Sequence, residues 1–97
     1  LPRFPNVHRD LAFVVNTGTN QETVARAITE AGGTLLANLV LFDLYTGGQI
    51  GAGNKSLAYS LEFQPFDRTL TDREIDAEVL SIVKHVEATC SAKLRAL

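Results

Sequence analysis

The sequence predicts an α+β domain in which six elements follow one another as β-α-β-β-α-β. Three observations carry that expectation. Residues 7–15, 34–45 and 55–63 are strand-like runs, rich in β-branched and aromatic residues or alternating with period two. Two other stretches, 19–33 and the segment opening at Thr71, place apolar residues at helical spacing behind a capping residue. A short alternating "AKLRAL" closes the chain. With 97 residues, 45% of them hydrophobic, there is apolar material for one core and too little for two.

In the first strand, "VHRDLAFVV", alternation sets Leu11, Phe13 and Val15 on one face and Asp10, Ala12 and Val14 on the other. The first helix, "TNQETVARAITEAGG", takes Thr19 or Asn20 as its N-cap. It presents Val24, Ala27, Ile28 and Ala31 at i, i+3, i+4, i+7 and stops at Gly32. In the second strand Val40, Phe42 and Leu44 share one face, and Leu39, Leu41, Asp43 and Tyr45 the other. "TGGQIGAGN" holds four glycines in nine residues and predicts a hairpin connection longer than a tight turn. The third strand, "KSLAYSLEF", alternates Leu57, Tyr59, Leu61 and Phe63 with Ser56, Ala58, Ser60 and Glu62. Thr71 and Glu74 form a capping box for a second helix striped by Ile75, Val79, Ile82, Val83 and Val86.

This order is the ferredoxin-like split βαβ pattern: a four-stranded antiparallel sheet with two helices on one face. The helix-side face is expected to take Leu11, Phe13, Val40, Phe42, Leu57, Leu61 and Leu94. The open face is left with Ala12, Asp43, Tyr45, Ser56, Ala58, Ser60, Lys93 and Arg95.

Composition narrows the function. A net charge of −2 argues against binding nucleic acid mainly through a general phosphate field. Five of the eleven acids (Asp72, Glu74, Asp76, Glu78 and Glu87) fall in the second helical segment, so a local positive face stays available elsewhere. The single Cys90 cannot form an intramolecular disulfide, no Cys/His cluster has metal-ligand spacing, and no long apolar stretch suits a membrane. A cytoplasmic domain without metal is the expectation. Because the chain opens on Leu1 without methionine or a targeting segment, it reads as a fragment of a longer soluble protein. "GGQIGAGN" lacks the lysine and hydroxyl of a phosphate-cradling loop, and His8 and His85 stand far apart in sequence, so no catalytic set emerges.

An open face with one aromatic, one carboxylate and Arg/Lys donors can recognise a splayed base, the ring stacking and the carboxylate accepting from an amino group. A solvated polar face, or one covered by a neighbouring domain, accounts for the same residues. Recognition in the manner of RNA-recognition motifs is excluded, because the central outward positions hold Ala12, Val14, Ser56, Ala58 and Ser60 instead of aromatics.

"FPNVHRDLAFVV", "LFDLYTGGQIGAGNKSLAYSLEF" and "DRTLTDREID", in this order and spacing, resemble the ferredoxin-fold anticodon-binding domains that end bacterial phenylalanyl-tRNA synthetase β subunits. The resemblance covers nearly the whole chain. It implies that residues 1–97 are one anticodon-binding domain, noncatalytic in itself, contacting the anticodon stem-loop of phenylalanine tRNA. The full-length chain would pair with a synthetase α subunit as (αβ)₂, using ATP and Mg²⁺ outside this domain, which has no cofactor of its own.

The family's guanine-holding residues map onto Ala12, Asp43, Tyr45 and Arg95, with Ser60 preferred for an additional polar contact. Arg9, Lys55 and Lys93 are candidate phosphate contacts. His8 stands where many relatives carry a second arginine. Competing readings are an ACT-like small-molecule regulatory module, an acylphosphatase-like enzyme and a passive docking domain within the synthetase. The acylphosphatase reading is weakened because "NTGTNQ" after strand one carries no cation.

Overall fold

A computed structural model describes residues 4–96. Its elements run β1 (Val7–Asn16), α1 (Gln21–Gly32), β2 (Leu36–Tyr45), β3 (Asn54–Phe63), α2 (Asp72–Cys90) and β4 (Lys93–Ala96), with single 3₁₀ turns at Gly33–Leu35 and Gly48–Ile50. The strands form one antiparallel sheet in the order β2-β3-β1-β4, so the long β1 and β3 are central and β2 and β4 are the edges. This is the ferredoxin-like α+β architecture expected from the sequence. Leu97 of the closing segment and the first three residues lie outside the described residues.

Local chemistry explains the element boundaries. Asn20 caps α1, its Oδ1 accepting from the Glu22 backbone N–H at 3.0 Å. The helix ends through Gly33, at φ 58°, one residue after the expected stop. Gly32 is the last helical residue and is needed for space instead, since a Cβ there would stand 2.8 Å from the Leu36 side chain. α2 opens on the expected capping box: the Thr71 hydroxyl accepts from Glu74 N–H, and the Glu74 carboxylate accepts from Thr71 N–H. Arg68 holds the same carboxylate through both terminal nitrogens.

β1 and β3 alternate strictly. Leu11, Phe13 and Val15 from β1 and Leu57, Tyr59, Leu61 and Phe63 from β3 are buried against Val24, Ala27 and Ile28 of α1 and Ile75, Val79, Ile82, Val83 and Val86 of α2. Each such large apolar side chain contributes about 1.5–3 kcal/mol by leaving water. The Tyr59 hydroxyl, carried into this core, donates to the Gln21 carbonyl at 2.8 Å. No helix among the described residues is long and apolar enough to cross a membrane.

The edge strand β2 departs from the expectation. Leu39 pairs with Leu61 and Leu41 with Tyr59, which puts both leucines on the helix side, where they pack against the core. The register then slips between Leu41 and Asp43, leaving Phe42 as an extra residue, and Asp43 pairs with Ala58 and Tyr45 with Ser56 on the open face. Val40 and Phe42, expected in the core, are 48% and 55% exposed. A strict period of two would have kept Leu39, Leu41, Asp43 and Tyr45 on one face; the bulge separates the two leucines from the acid and the tyrosine.

Candidate nucleic-acid interface

The face away from the helices is organised in cross-strand rows. Following the sheet from β2 to β4, one row runs Tyr45, Ser56, Val14, Lys93 and the next runs Asp43, Ala58, Ala12, Ala96. The second row is a floor of three methyl groups walled at one end by a carboxylate. A planar ring can approach the backbone there because no side chain rises from the floor beyond its Cβ.

Arg95 reaches across the neighbouring row. The β1–β4 register shifts so that Leu94 faces Phe13 and Ala96 faces Ala12, making Arg95 the extra residue. Ala96 thereby joins the open face instead of following Leu94 inward. The Arg95 side chain crosses β1. Its Nη1 donates to the Ser56 Oγ on β3 at 3.3 Å, and its Cζ sits 5.1 Å from the centroid of the Tyr45 ring on β2. One side chain thus joins an edge strand to residues of the two strands beyond β1. The guanidinium–ring contact contributes about 0.5–1 kcal/mol at an exposed site. Tyr45 is held from below by the hairpin, because Gly47 leaves open the space that the phenol fills.

Four of the sequence-derived residues, Ala12, Asp43, Tyr45 and Arg95, therefore share the open face, and Lys93 stands beside Arg95 opposite Val14. Ser60 shares the face but lies between Asp10 and Val40, four residues along β3 from Ser56 and about 13 Å away at strand rise. Ser56 is the hydroxyl that meets Arg95. Alternation places both serines on this face, and only strand register shows that Ser56 is the one beside Tyr45.

Arg9 and Lys55 belong to the other parity. Arg9 pairs with Leu61, and its Nη2 lies 3.8 Å from both Asp72 and Asp76 of α2, so its charge faces the helix. Lys55 pairs with the buried Val15 at the sheet end. Neither joins the open-face group. His8 does lie on that face, where its Nε2 is 4.0 Å from the Glu62 carboxylate of the paired strand.

The sequence model of the family described as ferredoxin-fold anticodon binding domain matches residues 2–95. This chain belongs to that family. It is 52% identical over 95 residues to the phenylalanine–tRNA ligase beta subunit of Moorella thermoacetica, a match covering 98% of this chain and 12% of the relative. To the beta subunit of Latilactobacillus sakei it is 43% identical over 94 residues, covering 97% of this chain and 12% of that protein. To the beta subunit of Bacillus cereus strain ATCC 14579 it is 42% identical over 95 residues, with 98% and 12% covered. The chain therefore spans about one eighth of the length of the curated relatives it matches. The row Asp43, Ala58, Ala12, Ala96 and the adjoining Tyr45–Arg95 pair bring together a flat floor, an acceptor, a ring and a cation.

Proposed function

We propose that this domain binds the anticodon stem-loop of phenylalanine tRNA on its open sheet face, as part of a phenylalanine–tRNA ligase beta subunit. The observation that carries the reading is the convergence of the Asp43 carboxylate, the Tyr45 ring and the Arg95 guanidinium beside the Ala12–Ala58 floor. Such a set suits guanine. The carboxylate accepts from N1–H and N2–H, the aromatic face stacks on or walls the ring, and the guanidinium donates to a base acceptor or a phosphate. Ser56 holds the guanidinium over the sheet before the base arrives.

Amino-acid activation with ATP and Mg²⁺ belongs to the longer protein and its α-subunit partner, assembled as (αβ)₂ in the cytoplasm. The domain contributes to tRNA recognition and not to chemistry. Replacing Asp43 or Tyr45 by Ala in the full-length ligase is expected to lower kcat/KM for tRNA about tenfold or more, at 1–3 kcal/mol per lost base contact, while ATP–pyrophosphate exchange stays unchanged. Unaltered aminoacylation would contradict the reading.

One observation favours a second reading, a docking role within the synthetase. Val40, Phe42 and Leu44 leave an apolar strip exposed on edge strand β2, and such strips commonly meet protein. Charged replacements at Val40 and Phe42 separate the two: they disturb assembly of the ligase if the domain docks there, and leave it intact if the open face is the working surface.

A further inference from the structure

Beside Tyr45 and Arg95 lies a cleft of about 570 Å³, lined by Gln49, Ile50 and Asn54 on one side and by Val14 and Lys93–Arg95 on the other. Its volume falls within the roughly 300–1,000 Å³ typical of small-molecule sites. It is bounded on one side by the β2–β3 loop and on the other by β4. We propose that this cleft is a second ribonucleotide subsite, taking the nucleotide adjoining the base held at Tyr45, with its phosphodiester against Lys93 and Arg95. The proposal rests on the anticodon reading above and extends it to a neighbouring residue of the loop.

Three features argue for that occupant. The first is charge: two cations line the cleft and none of its described lining residues is acidic, in a protein whose net charge is −2. A phosphodiester is matched by these two cations, and a cationic ligand is not. The second is continuity. Arg95 lines the cleft while its guanidinium lies against Tyr45 and Ser56, so it is the wall common to both sites. Consecutive nucleotides of a single strand can then occupy the two compartments with their linking phosphate at the shared cation. The third is that the loop wall is built before any ligand arrives. Ile50 N–H donates to the Gly47 carbonyl at 3.2 Å, Gly51 N–H to the Gly48 carbonyl at 3.3 Å, and the Asn54 side-chain amide to the Ile50 carbonyl at 2.9 Å. Asn54 therefore shapes the wall, while Gln49 and Lys93, both exposed, offer the free polar groups. Val14 and Ile50 supply apolar contact for a ribose or a base face.

The test uses the 97-residue chain, whose buried hydrophobic residues form one cluster drawn from both helices and the central strands. Binding of a phenylalanine anticodon stem-loop is measured across salt concentrations for the unaltered chain, Lys93→Met and Gln49→Ala. It is then repeated with a stem-loop whose two phosphates flanking the first anticodon base are neutral methylphosphonates. Lys93→Met should lower the slope of log Kd against log salt by about 0.7, the loss of one single-strand phosphate contact. Lys93→Met and the neutral phosphates should also be non-additive, each removing the effect of the other. Gln49→Ala should weaken binding while sparing the preference for guanine over a replaced base.

Additive effects and an unchanged slope, in a protein that still prefers guanine through Tyr45, would overturn the second subsite and leave the anticodon reading standing. No binding by the unaltered chain would overturn both. Thermal melting of each variant, expected to be unchanged because Gln49 and Lys93 are exposed, shows that any loss is not unfolding.

Discussion

A methyl group placed on Gly47 would stand 2.3 Å from the Tyr45 hydroxyl oxygen and 2.7 Å from its Cζ. The phenol occupies the volume that any other residue would claim, and Gly47 thereby sets the position of the ring that Arg95 approaches from β4. Its φ of 176° is extended backbone open to any residue, so the glycine is required for the close approach and not for its dihedral. Gly47→Ala is expected to turn Tyr45 away, removing the ring-current effect on the Arg95 guanidinium resonances. The guanine preference should fall about tenfold, while the melting temperature changes little. An unchanged preference would show that the seat under the ring is dispensable.

Filling the floor tests it from above. Ala12→Leu replaces a methyl by an isobutyl group on the face opposite the core, between Ala58 and Ala96. Selective stem-loop binding should be lost by tenfold or more, while the fold is retained because the added atoms point away from the core. Stability is read from urea unfolding and selectivity from paired titrations. Retained selectivity would mean that the base lies elsewhere on the sheet.

Tyr59 predicts an alkaline signature. Burial, reinforced by the nearby Cys90 thiolate charge, pushes its phenol up to about 12. The unfolded chain releases that proton near pH 10 and the folded chain holds it, so stability is fully present below pH 10 and declines as pH rises through about 12. Ultraviolet titration should find one of the two tyrosines ionising near pH 12, with unfolding midpoints falling over the same window. Both tyrosines ionising together near 10 would contradict the buried hydroxyl bonded to Gln21.

An acid signature belongs to the α2 cap. The Arg68 hydrogen bonds, followed by that from the Thr71 backbone, hold the Glu74 carboxyl down to about 2. A depressed carboxyl stabilises the fold above its ordinary value near 4.5 and loses that contribution as pH falls through about 2. Carboxyl NMR should follow Glu74 to this low midpoint, and Arg68→Met should raise it. A midpoint unmoved by Arg68→Met would remove the ion pair from the account.

The sequence disclosed the six elements because each carries its own local signal: the strict alternation of Leu57 to Phe63, the Thr71–Glu74 box and the apolar stripe of α2. β2 was harder. Leu39, Val40, Leu41 and Phe42 are apolar at both parities, so alternation had no contrast to read, and Leu41 fell on the same formal face as Asp43. The bulge at Phe42 corrects this through pairing with β3, which is non-local. Asp43 and Tyr45 do stand on the open face, but the leucines assigned there with them do not.

Selection by side-chain type carried less than register. Arg9 and Lys55 have the charge of phosphate contacts, yet each alternates with the core set, and their pairing with Leu61 and Val15 places them accordingly. Ser60 and Ser56 are equivalent hydroxyls to alternation, and only their pairing with Val40 and Tyr45 tells them apart. The Arg95–Ser56 bond depends on a shift in the β1–β4 register that a short "KLRAL" does not announce. Gly47 reads as a turn glycine from sequence, whereas its role under Tyr45 is a close approach that composition does not announce.

The measurement closest to the central claim is an amide NMR titration of this chain at low salt with two hairpins: the phenylalanine anticodon stem-loop, and a control in which the first anticodon guanine is replaced. The account predicts shifts concentrated at Ala12, Asp43, Tyr45, Ser56 and Arg95 that diminish sharply with the control. Equal shifts with both hairpins, or shifts centred on Val40 and Phe42, would contradict guanine recognition at Asp43, Tyr45 and Arg95.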